Sequence, residues 1–305
     1  MILAPMQGLT EVLFRRVYEE CFPGAIALAV SPFIALTKNL RFSTDNAQIA
    51  DVLPENNVGS IPVIPQILGK EPDEFITLGN RLYELGYNEI NWNMGCPMRA
   101  IAAKHRGSGI LPYPDEVRSI LDQVVPALKS TLSVKVRLGL KDKNDIFNLV
   151  PVFNDYPLAS VTIHPRLGRQ QYTGHPDLDT FGEVLPLLKA PVIYNGDILT
   201  ATDARRIRER FPQVADIMVG RGVLYNPSLP LEMKTEDSTL NSQFIRRLME
   251  DILLRLPTDE SRIRKMKEYW CLLWKSLPIS EMQAREVLRQ EKLTIVEKMI
   301  CDFLQ

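Results

Sequence analysis

The chain has 305 residues, 45% of them hydrophobic and 24% charged, and its formal net charge is −1. That is the composition of an ordinary globular protein, long enough for one large domain and a small one. The balanced charge excludes a protein that grips a polyanion over its whole surface, so any nucleic-acid contact must come from local clusters of Lys and Arg.

The cysteines, Cys21, Cys96, Cys271 and Cys301, are scattered and form no CxxC pair. They argue against a disulfide framework and against a zinc or iron–sulfur site, and they fit a reducing cytoplasm. Met1 to Met6 lacks the charged start of a signal peptide, and no apolar run approaches the ~20 residues of a membrane span. A cytoplasmic protein acting as a monomer, without membrane or metal partners, is expected.

In chain order, Met1 to Met6 predicts a short strand ending in Ala4-Pro5-Met6, and Leu13, Val17 and Tyr18 follow at helical spacing. Residues 24–32 read as a second strand and 62–68 as a third, with Gln66 near its end. A helix over 74–85 carries Phe75, Leu78, Leu82 and Leu85 on one face and stops at Gly86. The fourth strand, 89–94, runs into Gly95-Cys96-Pro97. Alternation puts Asn91 and Asn93 on one of its faces and Ile90, Trp92 and Met94 on the other. A helix over 114–128 precedes a fifth strand at 133–138. Strands at 161–164, 191–194 and 216–219 complete the series, with a helix over 205–211 between the last two.

Eight strands separated by helical or loop segments predict a closed (β/α)8 barrel. An open doubly wound sheet is the weaker alternative, because no GxGxxG follows the first strand. Residues 231–240 are polar and aperiodic and read as a linker. Beyond them lie only helical segments, at 244–256, 261–276 and 279–290, with a last one ending at Leu304. The expected organisation is a barrel domain over 1–235 and a small all-helical domain over 240–305.

Barrel enzymes build their sites at the C-terminal ends of the strands. There the chain places Gln66, Asn93 with Cys96, Lys135 with Arg137, His164 with Arg166, Asn195-Gly196-Asp197 and Gly220-Arg221-Gly222. Each has a bland explanation: a structural histidine, ordinary turns, a packed cysteine. Together they are harder to dismiss. Alternation points Lys135 and Arg137 into the barrel, where an unpaired cation is costly, and Asp197 is the main acid at that end. An anionic ligand is the simpler counter-charge. The glycines of the last two strands, with Arg221, suit a phosphate, and Lys135 suits the electron-rich edge of a planar ring. Flavin mononucleotide combines the two.

Ala4-Pro5-Met6, Gln66, Asn93-Met94-Gly95-Cys96-Pro97, Lys135-Val136-Arg137-Leu138-Gly139, His164 with Arg166, Gln170-Gln171-Tyr172, Asn195-Gly196-Asp197 and Gly220-Arg221-Gly222 resemble the tRNA-dihydrouridine synthase family. The likeness covers essentially the whole chain, and its length and C-terminal segment resemble the bacterial C-type subfamily. The resemblance implies FMN in the barrel, NADPH as reductant, and reduction of the C5–C6 double bond of a uridine in the tRNA D-loop. It implies that Pro5, Met6, Gln7, Gln66, Lys135, His164, Asn195, Gly196, Asp197, Gly220 and Arg221 hold the flavin. Cys96 would donate the proton, and Asn93, Arg137 and Tyr172 would face the uracil. A thiol of pKa ~8.5 keeps its proton at neutral pH where a carboxylic acid of ~4 does not, which suits the donor role.

Two departures from the family pattern stand out. Met98 follows Cys96-Pro97 where many members have Ser. The expected glycine-rich run reads Ala103-Lys104-His105-Arg106-Gly107-Ser108-Gly109. This loop is expected to move on Gly107 and Gly109 and to offer Lys104 and Arg106, with His105, to tRNA phosphates; an exposed, solvated loop is the alternative.

The segment 241–305 holds 12 Lys or Arg and 10 Asp or Glu, so it is not basic in bulk. Its charge is local, in Arg262, Arg264, Lys265 and Lys267, followed by Tyr269, Trp270 and Trp274. Arg264 and Lys267 are the expected tRNA contacts, against the alternative of a solvated face over a Trp core. Rival functions are an FMN-dependent reductase of a small pyrimidine or enone, a tRNA-binding factor without chemistry, and a barrel aldolase using Lys135.

Overall fold

The computed structural model describes residues 1–37, 42–43, 45–235 and 241–305. The first half runs β1 (Ile2–Leu3), α1 (Val12–Cys21), β2 (Leu28–Ala35), α2 (Ala47–Ala50), β3 (Val63–Leu68) and α3 (Pro72–Glu84). Then come β4 (Glu89–Met94), α4 (Arg99–Ala102), α5 (Pro114–Ala127), β5 (Thr131–Gly139), α6 (Asn144–Asn154) and β6 (Val161–Leu167). The barrel finishes with α7 (Leu178–Val184), β7 (Val192–Tyr194), α8 (Ala201–Arg210) and β8 (Asp216–Val219). Six helices follow: α9 (Arg221–Tyr225), α10 (Leu229–Thr235), α11 (Asn241–Arg255), α12 (Asp259–Leu273), α13 (Glu281–Arg289) and α14 (Leu293–Phe303).

The eight strands pair in sequence order, all parallel, and β1 closes the ring on β8 through Ile2↔Met218 and Leu3↔Val219. The expected (β/α)8 barrel with a helical C-terminal region is therefore what the chain forms. Alternation divides β4 as expected. Trp92 faces the helices, donating to Gly69 O at 2.8 Å and meeting Phe75 edge-on. Asn91 and Asn93 face inward into a hydrogen-bonded belt with Gln66 and Ser133, at distances of 2.7–2.9 Å. Such a buried polar group is tolerable because its partners are present. Strands one, two, seven and eight instead fill the barrel with Ile2, Ala4, Val30, Ile193 and Met218.

Several boundaries differ from the sequence expectation. The second strand lies at 28–35 rather than 24–32 and continues through Pro32, which sits where the register with β3 shifts between Val30 and Phe33. A proline is accepted at such a bulge because no ladder bond is lost there. Residues 231–235 of the expected linker belong to α10, while 236–240 lie outside the described residues.

The C-terminal helices pack directly on the barrel. Phe244 of α11 meets Phe14 and Tyr18 of α1 edge-on, and Arg16 pairs with the buried Asp251 at 2.5 Å. One continuous apolar core joins both regions. Within the helical region Trp270 is fully buried, donates to Ala284 O at 3.1 Å and stacks on Phe303. Among the described residues no helix is long and apolar enough to cross a membrane.

Candidate active site

The C-terminal ends of the strands enclose a cleft of two lobes, of about 530 and 1050 Å³, that share Pro5, Met6, Lys135, His164 and Tyr172. The smaller lobe adds Asn195, Gly196, Asp197, Gly220 and Arg221. The larger adds Gln7, Asn93, Cys96 and Arg137. Most of the strand-end residues singled out from sequence thus converge on one space; Arg166 stands behind it, bonded to His164 and Asp197, and Gln66 lies apart. Gln66 is 0% exposed and lies beneath the floor, where its amide bonds Asn91 and Asn93 and its backbone N–H bonds Ser31 Oγ.

The turn after β4 fixes the thiol. Asn93 Oδ1 accepts the backbone N–H of Gly95 at 3.1 Å and of Cys96 at 2.9 Å. The Cys96 carbonyl accepts Ser108 N at 2.9 Å and Ser108 Oγ at 3.0 Å. Every backbone group of Cys96 able to bond is therefore held, and the sulfur is left to the cleft. Burial pushes the thiol above its ordinary range, against the pull of a hydrogen bond from Met98 and the charges of Arg137 and Lys135. Asn93 spends most of its amide on this turn and on Gln66, keeping one N–H for anything in the cleft.

The cations are unequally satisfied. Arg137 donates to Gly95 O at 3.0 Å, Leu167 O at 2.9 Å and Gln171 O at 2.7 Å, tying the turn after β4 to the end of β6 and the turn that follows it. Burial lowers its pKa to about 10. Arg166 and Arg221 both reach Asp197, at 2.5 and 2.6 Å, and these partners hold its carboxyl below the usual range despite burial. Tyr172 stands between guanidiniums, with Arg137 at 5.6 Å and Arg221 at 5.2 Å from its ring centre.

Arg166 can only donate, so its 3.0 Å contact with His164 Nε2 leaves the imidazole proton on Nδ1. Burial, then Arg137, Lys135, Arg166 and Arg221, hold His164 well below its ordinary pKa, as a neutral ring. Lys135 has no hydrogen-bond or ion-pair partner among the described residues. Burial, then Arg137, bring its pKa down to about 7. Lys135, Arg137 and Arg221 line the cleft against one carboxylate, Asp197.

The segment after Cys96 is packed. Gly107 has φ +55° and lies so close that a Cβ would stand 2.7 Å from Cys96 O, and a Cβ on Gly109 would strike Ala102 O. These glycines serve close approach, not a hinge. Arg106 is engaged by Glu71 at 2.7 Å and Leu36 O at 3.1 Å. His105 bonds Glu116 at 3.1 Å and stacks on Tyr113. Of the three basic side chains of this segment, Lys104 alone is exposed and without a partner among the described residues.

In α12, Arg262 is tied to Asp259 and Leu256 O. Arg264 and Lys267 carry no partner among the described residues and border a surface groove with Asp259, Glu260, Glu268 and Glu291. Sequence reading missed Pro32, Phe33 and Leu9 as cleft residues and Ser108 as the support of Cys96. A later boundary for the second strand would have found the first two. Ser108 gave no sequence signal beyond its flanking glycines.

The profile of the family described as Dihydrouridine synthase (Dus) matches residues 2–298. The chain is 31% identical to tRNA-dihydrouridine synthase B of Pasteurella multocida (strain Pm70) over 230 residues, 75% of this chain and 67% of that protein. It is 29% identical to the protein of the same name from Escherichia coli (strain K12) over 229 residues, 74% of this chain and 68% of that protein. These relatives carry the B-type name, whereas the C-type likeness rests on length and the C-terminal segment. Among solved structures, the old yellow enzyme homologue from Zymomonas mobilis aligns with TM-score 0.56 at 14% identity, over 77% of this chain and 88% of that one. Morphinone reductase aligns with TM-score 0.53 at 13% identity, over 77% and 85%. At such identities the structural likeness speaks for the barrel fold.

Proposed function

Because the chain belongs to the dihydrouridine synthase family, we propose that it reduces the C5–C6 double bond of a uridine in the D-loop of tRNA. FMN is the cofactor, NADPH the reductant and Cys96 the proton donor. The enzyme works as a monomer in the cytoplasm, with residues 1–235 as the flavin domain and 240–305 as the tRNA-binding domain. The observation that carries this reading is that one cleft holds both the Cys96 thiol, its pKa raised by burial, and a buried lysine, Lys135, without a partner among the described residues.

The residues present fit the cofactor. Lys135 lacks a counter-charge, His164 keeps an Nδ1–H to donate, and the lining is cationic apart from Asp197. Lys135, His164, Pro5, Met6 and Gln7 would hold the ring, above the Gln66 belt. Asn195, Gly196, Gly220 and Arg221 would hold the phosphate, with Asp197 orienting Arg221. Bound FMN supplies the hydride that no side chain can provide.

The chain's own groups do the rest. Cys96 keeps its proton at neutral pH because burial raises its pKa, and the Asn93–Ser108 clasp aims its sulfur at the cleft. A uridine must leave the base stack to enter a barrel mouth, and Tyr172, 53% exposed between two guanidiniums, offers it a flat polar-rimmed surface. The remaining Asn93 N–H and Arg137 suit the edge of a uracil. Arg264, Lys267 and Lys104, without partners among the described residues, supply cations for phosphates.

A visible absorption spectrum of the purified protein, with mapping of dihydrouridine in tRNA from a deletion strain, tests the proposal. A flavin spectrum and the loss of one D-loop dihydrouridine are expected. A colourless protein that still binds tRNA, or a yellow one that reduces free uracil or enones but not tRNA, refutes it.

A further inference from the structure

The loop that follows β1 forms a wall of the cleft through Pro5, Met6, Gln7 and Leu9. Its turn is closed from within. Leu9 N and Thr10 N donate to Met6 O at 2.9 and 3.0 Å, while Thr10 Oγ1 donates to Ala4 O at 3.0 Å and accepts Met6 N at 2.8 Å. None of these bonds uses the three successive carbonyls of Gly8, Leu9 and Thr10. Each has a donor from outside the loop. Lys265 Nζ bonds Gly8 O at 2.9 Å, Tyr269 OH bonds Leu9 O at 2.9 Å, and Arg15 Nη1 bonds Thr10 O at 2.8 Å.

Two of these donors stand on α12, 257 and 260 residues along the chain from the carbonyls they hold. They are four residues apart, so they share a helix face. Neither is free to wander. Lys265 is paired with Glu11 at 3.3 Å and Glu268 at 2.9 Å, and it lies 5.9 Å from the Tyr269 ring centre. Tyr269 is fully buried and stacks on Phe14. Burial keeps its phenol well above the ordinary range, so the hydroxyl remains a donor at any working pH.

We propose that Lys265 and Tyr269 are positioning residues of the flavin site. Resting on the flavin reading above, the helical region fixes the backbone of Gln7 to Leu9, so the cofactor cleft is completed by the part of the chain expected to hold tRNA. The loop's own bonds shape its turn, but its placement over the cleft comes from α12. Removing a donor lets the wall withdraw and loosens the flavin while the fold persists.

The test uses full-length holoprotein and follows FMN release by recovery of free-flavin fluorescence after dilution. Tyr269→Phe keeps the stacked ring, and Lys265→Met keeps the aliphatic stem. Each is expected to release FMN about fivefold faster, the loss of one ordinary hydrogen bond, and to shift the visible band of the bound flavin. Tyr18→Phe is the control. It loses a bond of the same kind, from a buried phenol to Pro227 O at 2.8 Å, away from the loop. It is expected to lower the melting temperature as much as Tyr269→Phe does, yet to release FMN at the wild-type rate. Wild-type release from the Lys265→Met, Tyr269→Phe double variant, or equal acceleration by Tyr18→Phe, overturns the inference and leaves the flavin reading standing. A wild-type protein that takes up no FMN overturns the flavin reading and this inference with it.

Discussion

Two walls of the cleft are built on opposite plans. The thiol wall is local: Asn93 holds Cys96 N, Ser108 holds Cys96 O, and Gly107 lets the chain fold back on itself, all within one short segment. The wall after β1 takes two of its three outer bonds from α12, at the far end of the chain. A site can therefore keep its reactive group under tight local control while entrusting the fit of its cofactor to a distant element. The first arrangement protects chemistry from changes elsewhere; the second exposes binding to them.

Cys96→Ala should break the function of the thiol wall with the largest effect. Without the proton donor, tRNA reduction falls by ~10²–10⁴, while the flavin spectrum and NADPH oxidation remain. Full dihydrouridine formation by this variant would remove Cys96 from the mechanism. Gly107→Ala attacks the same wall without touching the thiol. Its φ of +55° and the 2.7 Å approach of a Cβ to Cys96 O force the turn to shift. Single-turnover reduction of tRNA is expected to slow about tenfold, since misplaced reactive groups cost rate steeply, with FMN content unchanged. An unchanged rate would mean that the clasp does not set the thiol.

On the α12 side, Arg264→Glu with Lys267→Glu should weaken tRNA binding and flatten its salt dependence by about one unit of log–log slope for each phosphate that is no longer neutralised. FMN release should stay at the wild-type rate, separating the outer face of α12 from the face that holds the wall. Equal binding at all salt concentrations would exclude this face.

The smallest effect concerns the floor shared by both walls. Lys135 has a folded-state pKa of about 7 against an ordinary 10.5. Between those values the unfolded chain holds a proton that the folded, cofactor-free protein does not, so this group makes stability rise with pH across that window. Lys135→Met lacks the penalty. Its advantage over the wild type in urea unfolding of flavin-free protein should be greatest at pH 7 and shrink toward pH 10. A constant gap would show that the lysine is not desolvated.

The barrel was legible because its signals are local. Strand four is bounded by residues 89–94 in both sequence and structure, and its inward Asn pair was evident from alternation. Local signals also misled. Pro32 looked like the end of a strand because a proline ordinarily breaks a ladder, and only the register shift against β3 shows why it does not. No helix was expected between the fifth and sixth strands, where α6 runs with Pro151 inside it. The candidate site residues were legible as an odd set at strand ends, but not their pairing. Arg106 looked like a free phosphate contact because Glu71, its partner, belongs to the start of another helix. Arg221 looked like a bare cation, and its sharing of Asp197 with Arg166 depends on the closing of the barrel. Lys265 could not be told from Arg264 at all, since only packing decides which face of α12 meets Gly8.

The wall after β1 is synthesised long before the helix that secures it. At ribosomal speeds of about 5–20 residues per second, the 257 residues between Gly8 and Lys265 take more than ten seconds to appear. Until α12 has emerged, the carbonyls of Gly8 and Leu9 lack their donors. On the proposed reading, a growing chain would hold a nearly complete barrel whose cofactor wall is still loose until α12 has been made.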